Sequence, residues 1–290
     1  MDHEHHHASK NLRTAFFLNL GFTIFEIIGG FYVNSVAIIS DAVHDLGDSF
    51  SLGTSWYLQN KSGKAANDKF TFGYKRLSLL GALINSLILI AGSVYVVIEA
   101  VGRIIEPEHS NAQGMLIFAI IGVGVNGYAA WKLSSGKTLN ERVLTWHLLE
   151  DVLGWVAILI VSIVLLFKDI QYLDPALSLF ITAYILWNVV KRLKETVLIF
   201  LQAHPVDIDR DELEQKIQYV NGVQSLHHVH IWSLDGEHHV FTAHVSIEGT
   251  LKITDLLRIK SEIKKIIKNY PFEHYTIELE FDEENCEFVE

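Results

Sequence analysis

A single cysteine, Cys286, in 290 residues leaves no disulfide framework and fits a reducing compartment for the end of the chain. Proline is scarce too, with four residues; one of them, Pro205, closes the basic stretch that follows the last long apolar run. No basic face with interleaved aromatics occurs, which excludes a nucleic-acid partner. No cleavable leader is visible either. The stretch Met1–His7 has no basic n-region and no small-residue cleavage site, so the first apolar run is expected to remain as a membrane helix. The string His-Glu-x-x-His occurs in none of the apolar runs, only across His3 to His7 before them, which argues against an intramembrane metallohydrolase and against an enzyme.

What is present is apolar. Half of the residues are hydrophobic and the mean hydropathy is positive, too high for an ordinary soluble domain. The net charge of −11 is unevenly spread: more than half of the acid lies after residue 205. Six apolar runs, near 12–33, 36–58, 77–101, 113–132, 143–167 and 172–190, each have the roughly 20 residues that a helix needs to cross a bilayer. Lys and Arg alternate between the gaps. Lys10 and Arg13, then Lys61 to Arg76, then Lys132 to Arg142, then Lys191 to Lys194 mark one side, against only Arg103 and Lys168 on the other. The positive-inside rule then predicts six spans with both termini in the cytoplasm, and the short loops suggest a bacterial inner membrane.

Residues 1–11 form a His-rich tail, with His3, His5, His6 and His7 suited to weak metal capture. Residues 12–204 make the membrane domain, and 205–290 a small cytoplasmic α+β domain. There a helix is expected over 209–220, strands over 224–234 and 237–247 around the hairpin signal Asp235-Gly236, a helix over 254–268 with Thr254 as N-cap, and a strand over 275–281. The order is αββαβ, with both helices on one face of the sheet.

Ionisable residues inside a membrane are expensive and face the bundle interior. The second run carries Asp41, His44, Asp45 and Asp48, and the fifth carries His147, Glu150 and Asp151. Within them a His and an Asp four residues apart occur twice, as His44/Asp48 and His147/Asp151. At that spacing both side chains share one helix face. The two helices run in opposite directions, so the pairs make a pseudo-twofold cluster of two imidazoles and two carboxylates. Such a set suits Zn²⁺, with Co²⁺, Cd²⁺ and Fe²⁺ as alternatives. Helical rise puts Asp48 about 15 Å from the cytosolic side, near mid-membrane. Glu26, Glu99, Asn19, Asn85 and Asn126 recur at no such spacing and read as polar contacts between helices.

In the C-terminal domain, a two- or four-residue loop centred on Asp235-Gly236 places His227 opposite His244. Glu278 and Glu280 share a face of the third strand. His228, His230, His238, His239 and His274 are further candidates there.

These features together resemble the cation diffusion facilitator family of zinc exporters. Besides the paired motifs, Ser40-Asp41-Ala42, Phe72-Gly73-Tyr74-Lys75-Arg76 and His230-Ile231-Trp232 are family-like. The resemblance implies proton-coupled export of Zn²⁺ by a homodimer in a lipid bilayer. It assigns transport to His44, Asp48, His147 and Asp151, and a regulatory or dimer-stabilising metal site to His227, His244 and Glu280. Zn²⁺ then enters as substrate and as a bound regulatory ion, with no other cofactor. Members that bind metal between helices 2 and 3 use acidic and His residues where this chain has Asn67, Phe70 and Tyr74, so no strong site is expected there. The rival readings are a membrane-embedded metal sensor, which leaves the mid-membrane cluster unexplained, and a channel, which needs weaker binding.

Overall fold

The computed structural model describes residues 2–62, 66–134, 139–168, 170–249 and 252–281; Cys286 and the side chains of His3, His5, His6 and His7 lie outside the described residues. Six long helices come first: α1 (Asp2–Val33), α2 (Val36–Ser62), α3 (Arg76–Ile105), α4 (Ala112–Leu133), α5 (Leu139–Phe167) and α6 (Leu173–Phe200). They are followed by α7 (Arg210–Gln218), β1 (Val223–Ser233), β2 (His239–Ile247), α8 (Ile253–Ile267) and β3 (Phe272–Phe281), the expected αββαβ order. The chain divides into two units, residues 1–65 with 81–193 and residues 66–80 with 194–290.

Among the described residues, five helices are long and apolar enough to cross a membrane, over 13–33, 76–105, 112–132, 145–167 and 173–200. The sixth span, α2, has the length at 27 residues but not the apolarity. Its shortfall has a cause: Asp41, Asp45 and Asp48 all sit within it. The helix that is poorest as a lipid-facing element is the one that brings polar groups inside.

In the first unit α1 and α2 form a hairpin whose turn is only Asn34-Ser35. Asn34 takes a left-handed φ of 54°, a conformation its short amide side chain tolerates. Ser35 then acts as the N-cap of α2, its Oγ accepting from the Ile38 N–H at 3.2 Å. One buried apolar cluster joins Val33, Ala37, Ile38, Met115, Ala119, Trp155 and Ile158, from α1, α2, α4 and α5. Another joins Leu89 of α3 to Ile185 and Val189 of α6. Close approach needs small residues here, as it does in membrane bundles generally. A Cβ on Gly122 would meet the Trp155 ring at 2.1 Å, and one on Gly47 would meet Leu89 at 2.5 Å.

Two of the five polar residues read as interhelical contacts serve that role. Asn19 donates to the Asp45 carbonyl and to Ser49 Oγ, and Asn85 donates to Ser51 Oγ. Glu99 instead pairs with Arg103 on its own helix, and Asn126 donates to the Gly122 carbonyl one turn back. Neither carboxylate oxygen of Glu26 meets a donor among the described residues.

In the second unit the sheet order is β1-β2-β3, with β1–β2 antiparallel and β2–β3 parallel. The return through α8 permits the parallel pairing. Leu213 and Ile217 of α7 and Ile259, Ile263 and Ile267 of α8 pack on Val229, Ile231, Phe241, Ala243, Val245 and Ile247, which leaves the opposite sheet face to polar side chains. Thr254 lies inside α8 and is not its cap. The N-cap is Lys252, whose N–H donates to Asp255 Oδ2 at 3.2 Å. Residues 66–80 join this unit through an ion pair of Lys75 with Glu273 and an edge contact of Phe72 with His274. In that segment Asn67 organises the loop, accepting from the Lys69 and Phe70 N–H groups and donating to Tyr74 Oη.

Candidate metal centre

His44 and Asp48 lie on the α2 face that meets α5, and His147 and Asp151 lie on the facing turn of α5. All four converge. His147 Nε2 is 2.9 Å from Asp48 Oδ2 and 3.9 Å from Asp151 Oδ2; His44 Nε2 is 3.7 Å from Asp48 Oδ2 and 3.8 Å from Asp151 Oδ1. The two rings are 5.7 Å apart and steeply inclined, as imidazoles aimed at one point must be. Tetrahedral Zn²⁺ with N and O ligands sets donors about 3.3–3.6 Å apart. Three of the four separations lie a few tenths of an ångström outside that range. The fourth, His147 Nε2 to Asp48 Oδ2, is shorter than that range. Asp151 is buried, while His44, Asp48 and His147 keep a quarter to a third of their surface open, enough for an ion to reach them.

The helices supply this geometry from both ends. The α2 N-terminus is pinned by Asp174 of α6, whose carboxylate accepts from Ser35 Oγ and from the Val36 and Ala37 N–H groups. The same carboxylate takes Ser110 Oγ from the α3–α4 connection. Arg103 of α3 donates to the Asn34 carbonyl and its side-chain oxygen. From that anchor His44 is eight residues on, about 12 Å along the axis. Sequence reasoning did not single out Asp174; its place in the first turn of the last membrane run was the signal. Asp41 and Asp45 are buried but lie outside the four-donor set, and Glu150 is exposed.

The second cluster lies on the polar sheet face. His227 and His244 are direct partners across β1–β2. Glu280 of β3 bridges them, with its oxygens 2.8 Å from His227 Nε2 and 2.5 Å from His244 Nδ1. Glu278 meets the other nitrogen of His244, Nε2, at 3.6 Å and is largely exposed, so the structure does not bring it into the three-residue group. His228 does approach. A β-bulge and a φ of 48° place its ring 5.2 Å from that of His244 and 5.5 Å from that of His227. His238 and His239 are engaged elsewhere, with Asp235 and Asp207 respectively. Burial pushes the Asp207 carboxyl up, but its hydrogen bond with His239 outweighs this and holds it below the usual range. Asp235 is likewise raised by burial and lowered further by the His238 and Glu237 N–H groups and the His238 ring, with a net downward shift.

Six long helices, a paired His/Asp centre between two of them and an αββαβ unit define a multi-pass membrane protein built to handle a divalent cation. Residues 12–201 match the cation efflux transmembrane domain and residues 205–281 the cytoplasmic domain of cation efflux proteins, so the chain belongs to the cation efflux family. It is a metal-cation transporter and not an enzyme. A cadmium, cobalt and zinc/H⁺-K⁺ antiporter of Bacillus subtilis is 33% identical over 98% of this chain and 94% of its own length. The zinc transporter ZitB of Pectobacterium atrosepticum is 32% identical over 99% and 92%. The metal cation efflux system protein CzcD of Cupriavidus metallidurans is 31% identical over 96% and 89%.

Proposed function

We propose that this protein exports divalent metal cations from the cytoplasm, Zn²⁺ foremost, in exchange for protons. The observation that carries the reading is that His44 and Asp48 of α2 face His147 and Asp151 of α5, with each imidazole within 4 Å of both carboxylates. Two carboxylates balance the charge of one divalent ion, and two imidazoles favour Zn²⁺ over Mg²⁺ or Ca²⁺. The names of the relatives support zinc, cadmium and cobalt as cargo, and one of them names protons and potassium as counter-ions. Metal and protons compete for the same lone pairs, so loading expels protons and unloading restores them. The site stays between the two helices while access alternates from one side to the other. The protein works as a homodimer in a cell membrane, with both termini in the cytoplasm. His227, His244 and Glu280 hold a regulatory metal ion, with His228 beside them.

The test is zinc uptake into proteoliposomes under an imposed pH gradient. Wild type accumulates zinc only with the gradient, and Asp48→Ala and Asp151→Ala do not, although both stay folded. Uptake that ignores the gradient would remove the proton from the cycle. Repeating the assay with Cd²⁺ and Co²⁺ ranks the cargo.

A further inference from the structure

Glu26 lies two turns before the end of α1 with 0% of its surface exposed. Neither of its carboxylate oxygens meets a donor among the described residues. It shares a helix face with Asn19 and Thr23, which hydrogen-bond across to α2 at Asp45 and Ser49. The groups that act on Glu26 are Asp45 and Asp41 of α2 and Asp151 of α5, and Asp45 lies within hydrogen-bonding reach. The α4 helix presents Phe118 to this part of α1, at Gly29. Asp174 shows the contrast. It is equally buried, yet Ser35, Val36, Ala37 and Ser110 all donate to it. A polar contact between helices needs such donors, and Glu26 has only acids. Ionised carboxylates are acceptors only, so two of them in contact make a hydrogen bond when one carries a proton. An unpaired carboxylate in an apolar interior is otherwise strongly disfavoured.

We propose that Glu26 is a proton-holding residue of the transport cycle, outside the metal-ligand set. The inference rests on the proton-coupled reading above. A proton resides on Glu26 while the four-donor centre is empty. When a divalent cation lands on that centre, its charge favours the ionised carboxylate, and the O–H proton of Glu26 leaves to the cytoplasmic solution. The proton returns from the opposite side as the metal departs. Asp45 follows His44 in the chain, so one turn of α2 faces both the metal and Glu26.

The experiment counts protons released per zinc bound, using the full-length dimer in weakly buffered detergent with a pH dye. Zinc affinity is measured by calorimetry on the same samples. Glu26→Gln, a mimic of the protonated acid, is expected to release about one proton fewer per metal ion and to bind zinc more weakly than wild type, by a gap that narrows as pH falls. A wild-type proton count in the variant would overturn the role of Glu26 alone. A wild type that binds zinc and releases no protons would remove proton coupling itself. A second measurement needs no variant. Infrared difference spectra of wild type carrying ¹³C-glutamate should show a protonated-carboxyl band that shifts with the label and vanishes on adding zinc. A spectrum with no such glutamic-acid band, whether because the residue is ionised or because it holds an alkali cation, would also overturn the proposal.

Discussion

Asp174 of α6 accepts a hydrogen bond from Ser35 Oγ at 2.5 Å, and with it holds the first turn of α2. The carboxylate also takes the Val36 N–H at 2.8 Å and the Ala37 N–H at 3.3 Å. These are orphan donors of a helix N-terminus, where negative charge is favoured. Asp174→Ala would leave them buried and unpaired, at a cost of about 1–3 kcal/mol for each. We expect the variant to melt at a lower temperature and to transport zinc at a small fraction of the wild-type rate, because α2 carries half of the metal centre. Asp174→Asn keeps one acceptor and should fall between the two. Flux and thermal unfolding on the same preparations check this.

The donor set sets metal preference. Replacing His44 by Asp changes two nitrogens and two oxygens into one nitrogen and three oxygens, which moves the site toward harder cations. His44→Asp should still transport, but its ratio of Zn²⁺ to Mn²⁺ flux should fall by about tenfold, equivalent to about 1.4 kcal/mol. An unchanged ratio would mean that His44 does not touch the ion.

The helices and the His/Asp pairs were legible because membrane length and four-residue spacing are local signals. The His227–His244 pairing was legible for a less sound reason. An even loop centred on Asp235-Gly236 predicts it, yet the loop is odd: Leu234 N–H closes on the His238 carbonyl, around Gly236 at φ 102°. The register is therefore one residue off from Ser233↔His239 to His230↔Thr242, until the bulge between His227 and His230 restores it. Two departures cancel, and neither leaves a clear trace in residue type, since His228 in a left-handed conformation is not a sequence signal. Glu26, read as a polar contact between helices, meets no donor among the described residues. Sequence shows a carboxyl in a membrane helix but not whether donors or acids surround it.

Packing behind the centre gives a third prediction. Gly47 stands between His44 and Asp48, where an added Cβ would come within 2.5 Å of Leu89. Gly47→Val should force α2 and α3 apart and weaken zinc binding without removing a ligand. Trimming the partner in Gly47→Val/Leu89→Ala should recover much of the loss, because space is what was missing. Calorimetry on the single and double variants tests the rescue.

Asp207 and Asp235 contribute a pH dependence to the C-terminal unit. Both carboxyls are held below their usual range in the fold. Stability from a lowered carboxyl is complete above its unfolded value, about pH 4, and is lost as pH falls through the lower folded value. Asp207→Asn should therefore melt below wild type at neutral pH, with the gap closing in acid. The magnitude should be modest because Asp207 is more than half exposed. Melting curves of both proteins from neutral to acid pH read the effect directly.

Glu280 and Glu278 share a strand face but should behave differently. Glu280 contacts both His227 and His244, and its register partner on β2 is Ser246, so nothing crowds it from that side. Glu278 stands opposite His244 in register, yet meets the nitrogen that points away from the Glu280 contact. An ion held by His227, His244 and Glu280 therefore leaves Glu278 outside its coordination sphere. In a full-length Asp48→Ala background, with the membrane centre disabled, Glu280→Gln should weaken zinc binding by more than tenfold, since it removes the charged ligand. Glu278→Gln should change affinity by no more than about threefold, as loss of a nearby screened charge would. If the two variants weaken binding equally, the ion sits on the Nε2 side of His244 and the three-residue assignment is wrong.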